Sequence, residues 1–234
     1  MIIKRDYYLN QLISSQHNGL IKVVTGLRRS GKSYLLFHLF GDYLKEQGIP
    51  DDHIIKVDLE DRRNAYLRDP DALLAHIDSK MVDGDMYYIL LDEVQHVREF
   101  EDVLNSYLKI ENADVYVTGS NSRFLSTDII TEFRGRGDQI HVYPLSFREF
   151  MSVDSRHPID AWTDYYTYGG LPHVLTLETA KKKIDYIKQL YSTVYITDIV
   201  ERYRVKGESE LKELIQIIAS AIGSPINPNK LANI

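Results

Sequence analysis

The chain has 234 residues, of which 44% are hydrophobic and 26% charged, a composition typical of a globular protein with a sizeable core. Its formal net charge is −6, so no overall basic field attracts it to nucleic acid or anionic lipid. The absence of cysteine excludes disulfides, thiolate metal sites and a cysteine nucleophile, and it is consistent with a cytoplasmic location.

Short apolar segments rich in Val, Ile and Tyr alternate with segments of helical spacing up to about residue 150. The predicted strands are Leu20 to Thr25, His53 to Asp58, Tyr87 to Leu91, Asp114 to Thr118 and Gln139 to Tyr143. The predicted helices between them are Lys32 to Leu44, Asp71 to Met81 and Phe100 to Lys109. This alternation predicts right-handed crossovers and a parallel five-stranded sheet covered on both sides, an α/β three-layer sandwich.

After Pro144 the pattern becomes helical, and no convincing strand follows. The predicted helices are Ser146 to Met151, Trp162 to Tyr168, Ala180 to Tyr203 and Glu208 to Ile222. We therefore predict one domain over residues 1–150 and a separate helical region after it. No stretch is long and apolar enough for a membrane helix, so we expect no membrane association.

A phosphate-binding motif lies between the first predicted strand and the helix that follows. The segment Gly26-Leu-Arg-Arg-Ser-Gly-Lys-Ser33 matches G-x-x-x-x-G-K-[ST] at every fixed position. Glycines let backbone N–H groups point at phosphates, Lys32 reaches the β- and γ-phosphates, and the Ser33 hydroxyl ligates Mg²⁺. The predicted cofactors are therefore ATP and Mg²⁺, and the predicted nucleotide-binding residues are Gly26, Arg29, Ser30, Gly31, Lys32, Ser33 and Tyr34.

The third predicted strand is apolar and ends in two adjacent carboxylates, Asp92 and Glu93, which is a Walker B pattern. Buried acids are costly unless a cation compensates them, and Mg²⁺ held by Asp92 through a water would do so. Glu93 would then lie beside the γ-phosphate, where a carboxylate can polarise the attacking water. The other interpretation is a solvated turn in which Asp92 caps the next helix.

The fourth predicted strand ends in a polar segment, Thr118 to Ser122, which lies between the two functional loops in a sheet of this kind. A hydroxyl or amide there can bond the γ-phosphate or the water, so Ser120 and Asn121 are candidate sensors. The same side chains can instead cap the helix that begins near Arg123, and the sequence leaves both roles open.

Two arginines, Arg134 and Arg136, precede the fifth predicted strand. A guanidinium can stabilise charge that develops on a γ-phosphate. We assign Arg136 as the candidate that acts on the nucleotide of a neighbouring subunit, which implies a homo-oligomer. The other interpretation is a surface arginine paired with one of the 34 acidic residues.

Three functions remain compatible with these motifs. The first is an ATPase that acts as a nucleotide-dependent switch or assembly factor, and the tandem carboxylates favour it because they suit water as the phosphoryl acceptor. The second is a P-loop phosphotransferase. The third is a non-hydrolysing ATP-binding scaffold for DNA or protein, with basic residues at 181–183 and at 202–206 as its evidence. The acid pair on the third strand argues against a translation-factor-like GTPase, which would also need an Asn-Lys-x-Asp motif after a later strand.

The ordered set of motifs resembles a large prokaryotic family of AAA+-like P-loop ATPases that is related to the archaeal ATPase and STAND groups. Its members usually carry a C-terminal domain of unknown function. The resemblance covers almost the whole chain. The matching segments are Arg5 to Leu9, Gly26 to Ser33, Ile89 to Gln95, Thr118 to Ser120, Gly135-Arg136, Pro144 to Glu149, Tyr168 to Pro172 and Tyr195 to Asp198.

The resemblance implies a lid-type helical domain over residues 151–206 and the start of a winged helix over residues 207–234, through which DNA or a protein partner could bind. It also implies that Arg5 to Leu9 border the adenine pocket. Arg202 and Arg204 are candidates for the second sensor, although neither is a clear match. Members normally continue well past residue 234, so we expect the chain to be a shortened form of such a protein.

Overall fold

The computed structural model describes residues 2–119, 136–192, 196, 199–200, 207–225 and 227. Its centre is a five-stranded sheet in the order β2-β3-β4-β1-β5, in which every neighbouring pair is parallel. The strands are β1 Ile21–Thr25, β2 Ile54–Asp58, β3 Tyr87–Asp92, β4 Ala113–Thr118 and β5 Gly137–His141. The predicted parallel five-stranded sheet is confirmed, and β4 separates the strand before the phosphate motif from the strand that ends in the acids.

Helices cover both faces of this sheet. On one face lie Asp6–Ser14 and the consecutive segments Lys32–Tyr34, Leu35–Phe40 and Gly41–Glu46, and on the other lie Pro70–Asp78 and Phe100–Tyr107. Two further helices, Phe147–Met151 and Pro158–Tyr168, pack against each other. Short 3₁₀ turns occupy Asp51–His53, Arg62–Arg68, Val94–His96 and Pro172–Thr176. Two apolar clusters form the core, one on each face of the sheet, and β3 is buried along its whole length as expected for a central strand.

The fifth strand lies two residues earlier than the sequence indicates. Its pairing with β1 begins at Ile21 and Gly137 and ends at Thr25 and His141. Beyond that point the Tyr143 N–H donates to the Tyr8 hydroxyl at 3.2 Å rather than to a strand. Pairing with β1, which hydropathy does not reveal, therefore sets the bounds of β5.

The chain divides into two compact units, residues 1–178 and 179–234. In the second unit the structure describes the helices Ala180–Leu190 and Glu208–Ser220 and no strand among its described residues. The predicted helical C-terminal region is therefore confirmed. The winged helix and the domain bounds at 150 and 206 stay predictions. Among the described residues, no helix has the length and apolar character needed to cross a membrane.

Candidate nucleotide site

The phosphate loop joins the end of β1 to the helical segment Lys32–Tyr34, as predicted. Its two glycines have backbone conformations that L side chains rarely adopt, with φ 138° at Gly26 and 96° at Gly31. A Cβ at Gly26 would also collide with the carbonyl oxygen of Val142, so this position requires glycine. The chain can therefore curl tightly at this point and present successive N–H groups to an anion.

Lys32 extends back into the curl of the loop and is 3% exposed. Its ammonium donates to the carbonyl oxygens of Gly26 at 3.2 Å and Leu27 at 3.0 Å. Burial lowers the pKa of Lys32, and the nearby negative charges of Glu93 and Asp92 oppose this shift. The loop thus holds a buried cation close to two carboxylates.

Asp92, the last residue of β3, is 4% exposed. Its carboxylate accepts hydrogen bonds from the Thr118 hydroxyl, at 2.5 Å, and from the Ser33 side chain. Burial raises the pKa of Asp92 to about 6, although both hydrogen bonds lower it. The end of β3 is therefore connected to the start of the helix after the phosphate loop.

Thr118, at the end of β4, connects the two acidic residues. Its fully buried hydroxyl accepts from the Glu93 N–H at 3.0 Å while it donates to Asp92. Sequence reasoning placed the sensor at Ser120 and Asn121, which lie outside the described residues, and missed Thr118. The signal in the sequence was the position of Thr118. It is a hydroxyl residue at the end of the strand that, in a sheet of this kind, lies between the strand before the phosphate loop and the strand that ends in the acids.

Glu93 follows β3 in a left-handed backbone conformation, with φ 53° and ψ 50°. Such a conformation is uncommon for a residue other than glycine and is often found at functional sites. The Gln95 side-chain amide donates to Glu93 Oε2, so a neighbour that the sequence did not single out orients this carboxylate.

The remaining predicted nucleotide-site residues lie on the same loop and helix start. Ser30 is fully buried, Arg29 is exposed with φ 64°, and Tyr34 is 38% exposed. Ser33 and Asp92 offer hard oxygen ligands, and the raised pKa of Asp92 reflects a negative charge that burial leaves poorly compensated. These residues fit a bound Mg²⁺.

Arg136 lies at the amino-terminal end of the strands, opposite the end at which the phosphate loop begins. It precedes β5, and its carbonyl accepts from the N–H of Ile21, the first residue of β1. The phosphate loop follows Thr25, the last residue of β1 and four residues beyond Ile21. At about 3.3 Å per residue of strand, the two ends of β1 are about 13 Å apart. Arg136 is thus far from the phosphate loop of its own chain, and its action on a neighbouring subunit stays a prediction. Arg134, Arg202 and Arg204 lie outside the described residues.

The fold and the site define a P-loop nucleotide-binding protein of the ATPase class. The chain belongs to the AAA domain family, whose model matches residues 18–151. A second model, described as a domain of unknown function, matches residues 159–234. The resemblance to AAA+-like P-loop ATPases with such a C-terminal domain is confirmed.

Two similar curated proteins are both described as uncharacterized. One, from Haemophilus influenzae, is 34% identical over 238 residues, which cover 99% of this chain and 59% of the relative. The other, from Methanocaldococcus jannaschii, is 26% identical over 247 residues, which cover 100% of this chain and 53% of the relative. The chain therefore spans little more than half the length of these relatives.

A solved structure supports the fold assignment. The Walker-type ATPase PABY2304 of Pyrococcus abyssi superposes with a TM-score of 0.62 at 17% identity. The match covers 99% of this chain and 87% of the archaeal one. At this identity the likeness establishes a shared fold.

Proposed function

We propose that the chain binds ATP with Mg²⁺ at the phosphate loop and hydrolyses its β–γ phosphoanhydride bond. The observation that carries this proposal is the meeting of Lys32, Ser33, Asp92 and Glu93 at the carboxyl edge of one sheet. These groups supply a cation for phosphate, oxygen ligands for a metal ion and a carboxylate for water.

Nucleotide binding rests on the loop backbone and on Lys32. The helix after the loop directs its free N–H groups at the phosphates. The Lys32 ammonium donates two of its three N–H groups to carbonyl oxygens of the loop. It can donate the third to a phosphate oxygen and can exchange the two carbonyl oxygens for further β- and γ-phosphate oxygens. Ser33 and Asp92 would hold Mg²⁺, which when bound neutralises phosphate charge.

Hydrolysis needs a base for the attacking water, and we assign that role to Glu93. The water oxygen forms a bond to the γ-phosphorus while the bond from that phosphorus to the bridging oxygen breaks. The electron pair of the broken bond stays on ADP, and the proton of the water passes to the Glu93 carboxylate. The Thr118 and Gln95 contacts support this assignment because they fix the Glu93 backbone and side chain.

We extend the proposal to a nucleotide-dependent switch or assembly factor. The described site residues all lie in residues 1–178, and residues 179–234 form a second compact unit, to which we assign the binding of a DNA or protein partner. In this proposal ATP binding in the first unit controls that partner, and subunits associate so that Arg136 reaches a neighbouring nucleotide. A cytoplasmic location belongs to the same proposal.

The test combines calorimetry with ATP turnover for the wild-type chain and for Lys32→Ala, Glu93→Gln and Arg156→Ala, with and without Mg²⁺ and DNA. We expect Lys32→Ala to lose ATP binding because it removes the buried ammonium that lies inside the loop and reaches the β- and γ-phosphates. Glu93→Gln should bind ATP·Mg²⁺ and lose turnover because an amide accepts no proton. Arg156→Ala removes an arginine paired with Asp154 and Asp164 and should behave like the wild type.

Unchanged ATP affinity in Lys32→Ala would refute the assignment of the phosphate loop. Turnover of Glu93→Gln within a few-fold of the wild type would remove Glu93 from its role. Tight ATP binding without phosphate release by the wild type would favour the scaffold, and phosphate transfer to an added acceptor would favour the phosphotransferase.

A further inference from the structure

Arg5 is a buried arginine on the N-terminal side of the segment that the AAA domain model matches. The matched segment begins at residue 18, whereas Arg5 precedes the helix Asp6–Ser14 and is 4% exposed. Burying a guanidinium is costly unless partners satisfy its charge and its donors. The partners of Arg5 therefore indicate why the fold keeps this charge inside.

Three polar partners surround the guanidinium. Its Nη1 donates to the Ser30 carbonyl at 3.0 Å, and its Nη2 donates to the Tyr143 carbonyl at 2.7 Å. Its Nε lies 2.8 Å from Oε1 of Glu149, and its Cζ lies 4.6 Å from the centre of the Tyr8 ring. A single side chain thus joins the phosphate loop, the chain after β5 and the helix Phe147–Met151.

The Arg5 contact with Ser30 has a direct consequence for phosphate binding. The Ser30 carbonyl and the Gly31 N–H belong to one peptide plane, and in a trans peptide they point in opposite directions. When Arg5 holds the carbonyl on one side, the Gly31 N–H must face the other. Gly31 has the φ of 96° that only glycine adopts readily, so without this contact the peptide has freedom to rotate.

The groups that hold Arg5 in place are themselves fixed. Glu149 also accepts from the Ser146 N–H at 2.8 Å, in a capping box that anchors the carboxylate facing Arg5. Tyr8, whose ring lies against the Arg5 guanidinium, accepts a hydrogen bond at its hydroxyl from the Tyr143 N–H. Arg5 is therefore held by its own helix and by the segment after β5, and it can act as a rigid support.

We infer that Arg5 is a positioning residue that orients the Ser30–Gly31 peptide so that the loop presents its N–H groups to phosphate. This inference rests on the proposed nucleotide site. It assigns Arg5 to the phosphates rather than to the base, in contrast to the adenine-pocket border that the family resemblance implies. Arg5 should therefore affect ATP and inorganic tripolyphosphate equally.

The experiment measures the affinities of ATP and of tripolyphosphate, both with Mg²⁺, by calorimetry. Arg5→Ala should weaken both by about 10- to 100-fold, the factor for losing one charge-assisted hydrogen bond. Glu149→Gln should stay within about threefold because glutamine can still cap the helix and Arg5 keeps both carbonyls. Arg156→Ala serves as the control for loss of an ion-paired arginine, and methylguanidinium should partly restore binding to Arg5→Ala.

If Arg5→Ala unfolds, Arg5→Lys gives the same test, since lysine keeps the charge without bridging two carbonyls. Wild-type affinity for both ligands in a folded Arg5 variant would refute the inference. Loss of ATP binding with tripolyphosphate binding intact would also refute it and assign Arg5 to the base. A wild-type chain that binds neither ligand would instead refute the proposed function.

Discussion

Replacing Asp92 by asparagine should stabilise the protein while it weakens nucleotide binding. Burial raises the pKa of Asp92 from 3.8 to about 6, against hydrogen bonds from Thr118 and Ser33 that lower it. A difference of roughly two pKa units corresponds to about 3 kcal/mol spent on holding the charged carboxylate in the folded chain. Asparagine has nearly the same shape, accepts the Thr118 hydrogen bond and carries no charge.

The pH dependence identifies the cause. Because folding raises this pKa, the cost is absent well below about pH 4, grows as the pH rises from about 4 to about 6 and is nearly constant above about pH 7. We expect Asp92→Asn to raise the free energy of unfolding by about 1–3 kcal/mol at about pH 7.5 and by about a third as much at about pH 4.5. The assay is urea unfolding followed by circular dichroism, with EDTA and without nucleotide.

A stability for Asp92→Asn equal to or below that of the wild type at the higher pH would refute this reasoning, as would an equal gain at both pH values. Asp61→Asn provides a control of opposite sign. The hydrogen bond from Arg63 lowers the pKa of Asp61 to about 2, so its charged form stabilises the fold above its unfolded pKa. That variant should lose stability at neutral pH.

Three further predictions concern the site edge, the subunit contact and the partner. Thr118→Val should keep ATP binding and lower turnover by about 10-fold or more, because it removes a charge-assisted bond to Asp92 and the acceptor of the Glu93 N–H; wild-type turnover would contradict this. Arg136→Ala should leave ATP affinity intact and lower turnover only at protein concentrations where subunits associate. If wild-type activity per molecule is independent of concentration and the variant matches it, the role across subunits fails. Since the net charge is −6, duplex DNA should bind weakly and less as salt rises, and tight binding at about 150 mM salt would point to a dedicated surface such as the lysines at 181–183.

The strands and the phosphate loop could be predicted because their signals are local. An apolar run such as Tyr87 to Leu91 indicates a buried strand by its own composition, and Gly26 and Gly31 set backbone angles within a few residues of Lys32. Asp92 and Glu93 are likewise consecutive residues, so the sequence alone shows that they are neighbours. Hydropathy, turn chemistry and motif spacing depend on residues that are close in the sequence. They can therefore be recognised without knowing which distant residues contact these side chains.

Strand order, the register of β5 and the partners of the site residues depend on contacts between distant parts of the chain. Thr118 reaches Asp92 because β4 lies between β1 and β3, and Arg136 lies far from its own phosphate loop because β5 pairs in parallel with β1. Arg5 meets Ser30 and Tyr143 across 25 and 138 residues. Such contacts arise when burial of the sheet faces selects one packing, and the same polar side chains could equally face solvent in another fold.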